Sequence, residues 1–382
     1  MGASNWYKIN FKIDVFKNNW IHVLILLLLY TFIVSNFGND VFKQKFDKKL
    51  ISRYFLSQDI THEVLGRRLF LSDSDVYTAT GYLYAHGFDP SKYNFEHPPF
   101  IKYLFGISTL LFNNPLVAQF ILGSLLLVSL YVLGLNLYHD QNIAFLAGVL
   151  LLFDPLFIDV SRLALLDIGQ ALLAVLYFSS TFFNKKNFVL QGILLGLFAG
   201  TKFWVSPLFF VSLFFVFLKY KKQLDIKVFL LHLIVAFASY LALYAQSYIL
   251  QDGKFNIIWH ILRTFKYRIV HNDSMYFGAS LVLFLTGFSQ IWWGTKEWIK
   301  SIPWSIVWPV GLTLSLLNLF SDLKKRDYLK IENVVLIIPI LYLLFLGVQA
   351  PFPRYFLIIL PFLYLVLAKN AVSIIRKMRI FK

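Results

Sequence analysis

The sequence predicts an all-α polytopic membrane protein, and three observations carry that reading. Of its 382 residues, 58% are hydrophobic and only 15% charged, whereas a soluble domain is nearer half apolar and a quarter charged. The chain holds 41 Phe, and these and apolar runs such as Trp20–Val34 exceed what a soluble core uses. A helix needs about 20 apolar residues to cross the hydrocarbon, so the runs suffice for about ten or eleven transmembrane helices.

The net charge of +16 fits the Lys and Arg that membrane proteins collect in cytoplasmic loops better than it fits a nucleic-acid partner. With no Cys, disulfides, thiolate metal ligands and Cys nucleophiles are excluded, and the redox compartment stays open. Residues 1–18 carry Lys8, Lys12 and Lys17. The first apolar run follows without a small-residue cleavage site, so it reads as an uncleaved span at about 19–37.

Residues 38–113 read as an extracytoplasmic loop with interfacial helices. Within Phe42–Arg68, Phe42, Phe46, Leu50, Ile51, Tyr54 and Phe55 recur at helical spacing among basic residues, a helix lying in the interface. Residues 97–112 are too short to span and read as a second one. Spans follow at about 115–137, 141–158, 164–183, 187–203, 205–220, 228–250, 303–320, 332–349 and 355–372. This order puts Lys185-Lys186, Lys219 with Lys221-Lys222, Lys324–Arg326 and Arg376-Lys377 on the side of the N-terminus, so both termini read as cytoplasmic. Met275–Trp293 is apolar enough to cross, but crossing would invert Lys324–Arg326, so a re-entrant or interfacial segment is preferred. The chain reads as one membrane domain over 1–382, with no repeat and no C-terminal soluble domain.

Chemistry-bearing residues concentrate in Asp73–Lys102, the one long segment between spans where carboxylates, a His, a double Pro and a Lys converge. Asp73 or Asp75 at the bilayer edge can serve as a general base. Alone, the turn Ser72-Asp73-Ser74 reads more simply as an N-cap for a helix over 76–85. His97-Pro98-Pro99 ends any preceding helix and aims His97 by a stiff turn, with Lys102 just beyond. Arg162 and Asp167 are ionisable residues near or within apolar sequence, candidates for function or for an ion pair that locks two spans. Five residues apart, they do not share a helix face. Lys202 and Arg354, the latter followed by Tyr355, are cations at the outer rim, where they either bind an anion or snorkel. Together, Lys102, Arg162, Lys202 and Arg354 share the rim of Asp73, the arrangement that a lipid-linked phosphate needs.

These motifs resemble those of the membrane glycosyltransferases of the C-type fold, in the protein O-mannosyltransferase and aminoarabinose-transferase group. DSDVYTATGYLYAHG (Asp73–Gly87) is similar to that group's Asp-Glu motif, and His97-Pro98-Pro99 to its His-Pro-Pro element. FDPLFIDVSRLALLD (Phe153–Asp167) is the closest match. GLFAGTKF (Gly196–Phe203) resembles a Thr-Lys-Trp stretch, and SIPWSIVWP (Ser301–Pro309) and PRYFLIILP (Pro353–Pro361) resemble further elements in order. The chain departs from the pattern where Ser74 replaces Glu, where Phe203 replaces Trp, and in a longer loop before Asp73.

The resemblance implies an inverting transferase that moves a sugar from a polyprenyl-phosphate carrier to a protein or lipid/glycan acceptor on the extracytoplasmic face. Asp73 would be the base, with Asp75 the alternative. Some of Arg162, Lys202, Arg354 and Lys102 would hold the phosphate, and His97 and Asp167 would position these groups or the acceptor. Asp75 leaves open a retaining route, which needs two carboxylates about 5 Å apart. No His or Cys cluster makes a specific metal site, although a divalent cation bridging phosphate and Asp73 stays open. The rival reading is a transporter or flippase of lipid-linked sugars, which would place ionisable groups near mid-membrane and show repeated halves. Residue usage fits a prokaryotic plasma membrane.

Overall fold

A computed structural model describes residues 20–36, 40–58, 70–183, 187–202, 204–270, 276–290, 297–324 and 330–380. Of the charges that set the expected topology, Lys8, Lys12, Lys17, Lys185-Lys186 and Lys325-Arg326 lie outside these residues, as does Phe203.

A helix stands at each expected span. These are α1 (Trp20–Asn36), α5 (Leu116–Tyr138), α6 (Gln141–Leu152) with α7 (Pro155–Ser161), α8 (Asp167–Phe183), α9 (Phe188–Ala199), α10 (Val205–Tyr220), α11 (Ile226–Ala242), α15 (Val307–Lys324), α16 (Ile331–Leu346) and α17 (Leu360–Ile380). By length and composition α5 crosses a membrane by itself, and α6 and α7 pass that test together across a 63° bend. The bend follows from the sequence at Phe153-Asp154-Pro155. Pro155 cannot continue the ladder of α6, and the Asp154 carboxylate accepts from the backbone N–H of Leu156 and Phe157 to restart the helix as α7. The same carboxylate accepts from Trp308 Nε1 at 2.7 Å and from the Tyr364 hydroxyl, tying α7 to α15 and α17. The Asp and Trp of two quoted motifs therefore hold the bundle together.

Besides this break inside the expected span 141–158, two spans depart from expectation. Residues 228–250 form α11 and then a short α12 (Ala245–Leu250). The last span opens with a 3₁₀ turn at Pro353–Phe356 before α17. The doubtful segment 275–293 is not a spanning helix. Its helix α14 covers only Ala279–Thr286, ends at Gly287 (φ 79°), and leads into an antiparallel pair, β1 (Phe288–Gln290) with β2 (Trp298–Lys300). Eight residues rise about 12 Å, far short of the bilayer core.

In the first loop, α2 (Lys49–Gln58), α3 (Asp73–Ala85) and α4 (Phe100–Phe112) form. The expected helix starts only at Lys49, with Phe42 in a 3₁₀ turn and Phe46 in the link before α2; Phe46, Leu50 and Tyr54 are buried against Ala79 and Leu83 of α3, while Phe42 and Phe55 stay exposed. α3 and α4 touch backbone to backbone, since a Cβ on Gly81 would lie 2.4 Å from the Lys102 carbonyl oxygen and one on Gly106 2.0 Å from that of Gly81. A side chain at either glycine would push α3, and Asp73 at its start, away from the bundle. At the centre, 14 of the 17 residues of α8 are buried, making it the post on which the site is mounted.

One helix was not anticipated. α13 (Ile257–Val270) carries Ile258, Trp259, Leu262, Phe265 and Ile269 on its exposed side. Such an amphipathic, basic helix suits an interfacial position, and it brings Arg268 back to the first loop.

Candidate active site

Asp73 is the first residue of α3, and the cap is Ser72, whose side chain accepts from Asp75 N–H at 3.1 Å. The capping role thus falls to Ser72 and leaves Asp73 available. The Asp73 carboxylate meets Arg354 Nη2 at 2.5 Å, with Asp73 half-exposed and Arg354 largely covered. Two residues further, Asp75 leaves α3 in a different direction. The charge of Asp73 acts on Tyr77, Lys202, Arg354 and Tyr355. Ser74, the residue in place of the motif's Glu, accepts from Ala164 N–H at 2.9 Å and fixes α3 to the segment before α8.

Asp167 opens α8 and pairs with Lys202 Nζ at 2.5 Å, both 1% exposed. Lys202 also lies over the Tyr355 ring at 4.4 Å. The two ion pairs are neighbours: burial alone would lower the Arg354 pKa, but Asp167 and then Asp73 raise it above its usual value. Asp167 Oδ2 and Arg354 Nε are both buried without a hydrogen-bond partner among the described residues. Spare polar capacity at one buried place is costly unless something completes it.

His97 is flanked by the Tyr77 ring, edge-on at 5.3 Å, and by Arg268, whose Nη2 is 3.1 Å from His97 Nδ1. Burial first, and then Arg268, Lys102, Lys202 and Arg354, push its pKa well below the ordinary value. His97 is therefore a neutral imidazole in a cationic neighbourhood. Pro98 is buried in the wall of an apolar cavity.

Two of the expected phosphate ligands are placed elsewhere. Lys102 is fully buried, with Nζ held by Tyr84 Oη (3.0 Å), Asn94 O (2.8 Å), Asn94 Oδ1 (3.1 Å) and His97 O (2.7 Å). An ammonium has three protons to donate, so this lysine clamps the loop 94–97 and has none left for a phosphate. Arg162 ends α7 and reaches Ile33 O of α1 at 3.4 Å. The expected pairing of Arg162 with Asp167 gives way to Asp167 with Lys202, because the turn after α7 aims the two side chains apart.

Two cavities meet at this cluster. One, of about 340 Å³, is apolar and runs between α9, α10, α11 and α13, past Leu195, Val211, Leu233 and Phe237, with Lys202 and Arg268 at its head. Its wall is tight because α9 packs onto α11 through glycines, a Cβ on Gly196 falling 2.3 Å from Ala236 O. The other, of about 390 Å³, is polar, with His97, Gln170, Ser206, Tyr342, Gln349 and Tyr355 in its wall. Glu96, Trp204 and Arg268 border both. Glu96 and Arg268 were not singled out in the sequence. Glu96 adjoins the His-Pro-Pro element, while Arg268 carries no local signal beyond the alternation of basic and apolar residues in 257–270. Among the described residues, no group of three or more His, Asp or Glu side chains is placed to hold a metal.

Fold and site together define a polytopic membrane protein of the C-type glycosyltransferase fold. Residues 96–246 match the family model described as dolichyl-phosphate-mannose-protein mannosyltransferase. No curated protein matches the chain. Among solved structures, it is similar to ArnT from Cupriavidus metallidurans bound to undecaprenyl phosphate, with TM-score 0.58 and 13% identity. That alignment covers 92% of this chain and 59% of the other. It is also similar to the apo state of that ArnT, with TM-score 0.56 and 12% identity over 92% and 58% of the two chains. The chain thus spans less than two thirds of the length of the structures it matches.

Proposed function

We propose that this chain is an inverting glycosyltransferase that moves a sugar from a polyprenyl-phosphate carrier to an acceptor on the extracytoplasmic face, with Asp73 as general base. The observation that carries this reading is the apolar groove bordered by Lys202 and Arg268, which shares Glu96, Trp204 and Arg268 with a polar cavity lined in part by Tyr355, next in sequence to the Arg354 that pairs with Asp73. An isoprenoid chain needs the groove, its phosphate needs the cations, and its sugar needs a polar space beyond them. The relative with bound undecaprenyl phosphate shares the fold, which supports the same class of donor here.

In this reading the arriving phosphate draws on Lys202, Arg268 and Arg354, and engages the unpartnered Arg354 Nε. Competition for Arg354 releases Asp73 to accept the proton of the acceptor's nucleophile. The acceptor oxygen forms a bond to the anomeric carbon as the bond from that carbon to the phosphate oxygen breaks. The electron pair leaves with polyprenyl phosphate, and the cations stabilise the departing charge. Neutral His97 holds Arg268 in place. Asp75 is directed elsewhere and the Asp167 carboxylate is held by buried Lys202, which favours inversion over a covalent intermediate.

The test is transfer of label from radiolabelled polyprenyl-phosphate sugars to membrane acceptors, comparing wild type with Asp73→Asn and Asp75→Asn. Loss in Asp73→Asn alone supports the assignment. Loss in Asp75→Asn alone would move the base by two residues. A wild type that neither transfers from nor binds any such donor would overturn the reading.

A further inference from the structure

The head of the bundle carries two consecutive rungs between the same segments. The first is the ion pair of Asp167 with Lys202. The second lies one helical turn along α8: Gln170 Nε2 donates to Ser206 Oγ at 3.0 Å, and Ser206 Oγ lies 2.7 Å from Tyr342 Oη. All three side chains of this second rung are buried, at 5%, 1% and 3% exposure, yet all three border the polar cavity. They come from α8, α10 and α16, so convergence on one cavity is a product of the fold and not of one helix face.

Resting on the proposed donor, we infer that this cavity is the sugar subsite and that the Gln170–Ser206–Tyr342 chain reads the hydroxyls of an uncharged sugar. The wall it makes is neutral, with amide and hydroxyl groups that both donate and accept, matching a hydroxyl's own capacity. The Tyr355 and Trp204 rings at the border offer apolar faces for the sugar's C–H surfaces. The charges sit at the other end, where the phosphate goes: Arg268 borders the cavity, and Lys202 and Arg354 stand behind it. An ammonium on the sugar would face these cations with the Glu96 carboxylate as the acidic group at the border, and Glu96 Oε1 already accepts from Asn94 at 2.5 Å. A carboxylate on the sugar would compete with the phosphate for Arg268, the cation at the border. Buried polar rungs also act as glue between membrane helices, so the test must separate reading from gluing.

The experiment compares binding of undecaprenyl phosphate, bare and esterified with mannose, with an amino sugar or with a uronic acid, to the full chain in micelles. For wild type, the mannose ester binds at least about tenfold more tightly than the bare phosphate, since each hydroxyl left unpaired in such a site costs about a factor of ten. The amino-sugar and uronate esters do not gain. In Ser206→Ala and in Tyr342→Phe, which remove single oxygens and keep the shape, that gain disappears while bare phosphate binds as before. Equal weakening for bare and esterified phosphate would assign the rung to helix packing and overturn the subsite. Preference for the amino-sugar ester would overturn the uncharged sugar. Binding of none of the probes would instead bring down the donor reading on which the subsite rests.

Discussion

Asp73 and Arg354 form an ion pair of 2.5 Å that joins the start of α3 to the turn before α17. It closes the site across most of the chain's length and sets two groups with opposite tasks side by side. Asp73→Asn keeps the shape and removes the proposed base, so transfer is expected to fall by about 10²–10⁴ while donor binding holds or improves. Asp75→Asn is expected to stay within about threefold of wild type, because position i+2 faces another way. Initial rates at saturating donor check both.

Lys202 and Asp167 are the most deeply buried charges of the cluster. Removing one partner strands the other, at a cost of about 3–5 kcal/mol. Lys202→Met should therefore unfold earlier and also lose lipid-phosphate binding. The double variant Asp167→Leu with Lys202→Met should recover most of the stability and none of the binding. Thermal unfolding and undecaprenyl-phosphate titration of the same samples separate the two effects; normal binding by the double variant would remove Lys202 from the phosphate site.

Lys102 gives the opposite pattern. Its ammonium satisfies the Asn94 and His97 carbonyls, and Lys102→Met leaves buried acceptors unpaired at about 1–3 kcal/mol. Stability should fall while affinity for undecaprenyl phosphate changes by less than about threefold, because the ammonium has no proton left for a phosphate. Calorimetric titration checks this directly, and an affinity loss as large as that of Lys202→Met would restore Lys102 to the phosphate ligands.

The contrast between these two lysines marks the boundary of what the sequence makes legible. Hydropathy, Pro and Gly are local signals, so a helix at each span, helices in the first loop and the clustering of Asp73, His97, Asp167, Lys202 and Arg354 can be read from it, whereas the break inside the expected span 141–158 was not. Lys102 and Lys202 look alike as lysines near helix ends. Only the packing of α3 on α4 shows that one is consumed by carbonyls, and only the entry of α8 shows that the other meets a carboxylate. Arg268 and Glu96 stayed hidden for the same reason: α13 must fold back onto loop 94–97 before either borders a cavity. Arg162 read as a cluster member because sequence distance does not tell which way a turn aims a side chain.

Acid should loosen this site through Asp89, which sits outside the spans and joins α12 to the loop before His97. Its carboxylate accepts from Ser91 N–H (2.9 Å), Ser91 Oγ (2.8 Å) and Gln251 Nε2 (2.7 Å). Burial pushes its pKa up, but the hydroxyl, amide and backbone donors outweigh burial and hold it below the ordinary value. A carboxyl depressed in the fold contributes stability that is present above its unfolded pKa, about 4, and is lost as pH falls through the folded value. The unfolding midpoint of wild type should thus exceed that of Asp89→Asn at neutral pH, and the gap should close as pH falls below about 4 through the depressed folded value. The variant replaces one acceptor oxygen by an amide that cannot accept from Gln251 or Ser91, so it should also weaken the hold of α12 on residues 88–91. A gap that stays constant as pH falls through that value would mean that Asp89 supports the loop by shape rather than by charge, and the acid sensitivity of the site would then have to arise elsewhere.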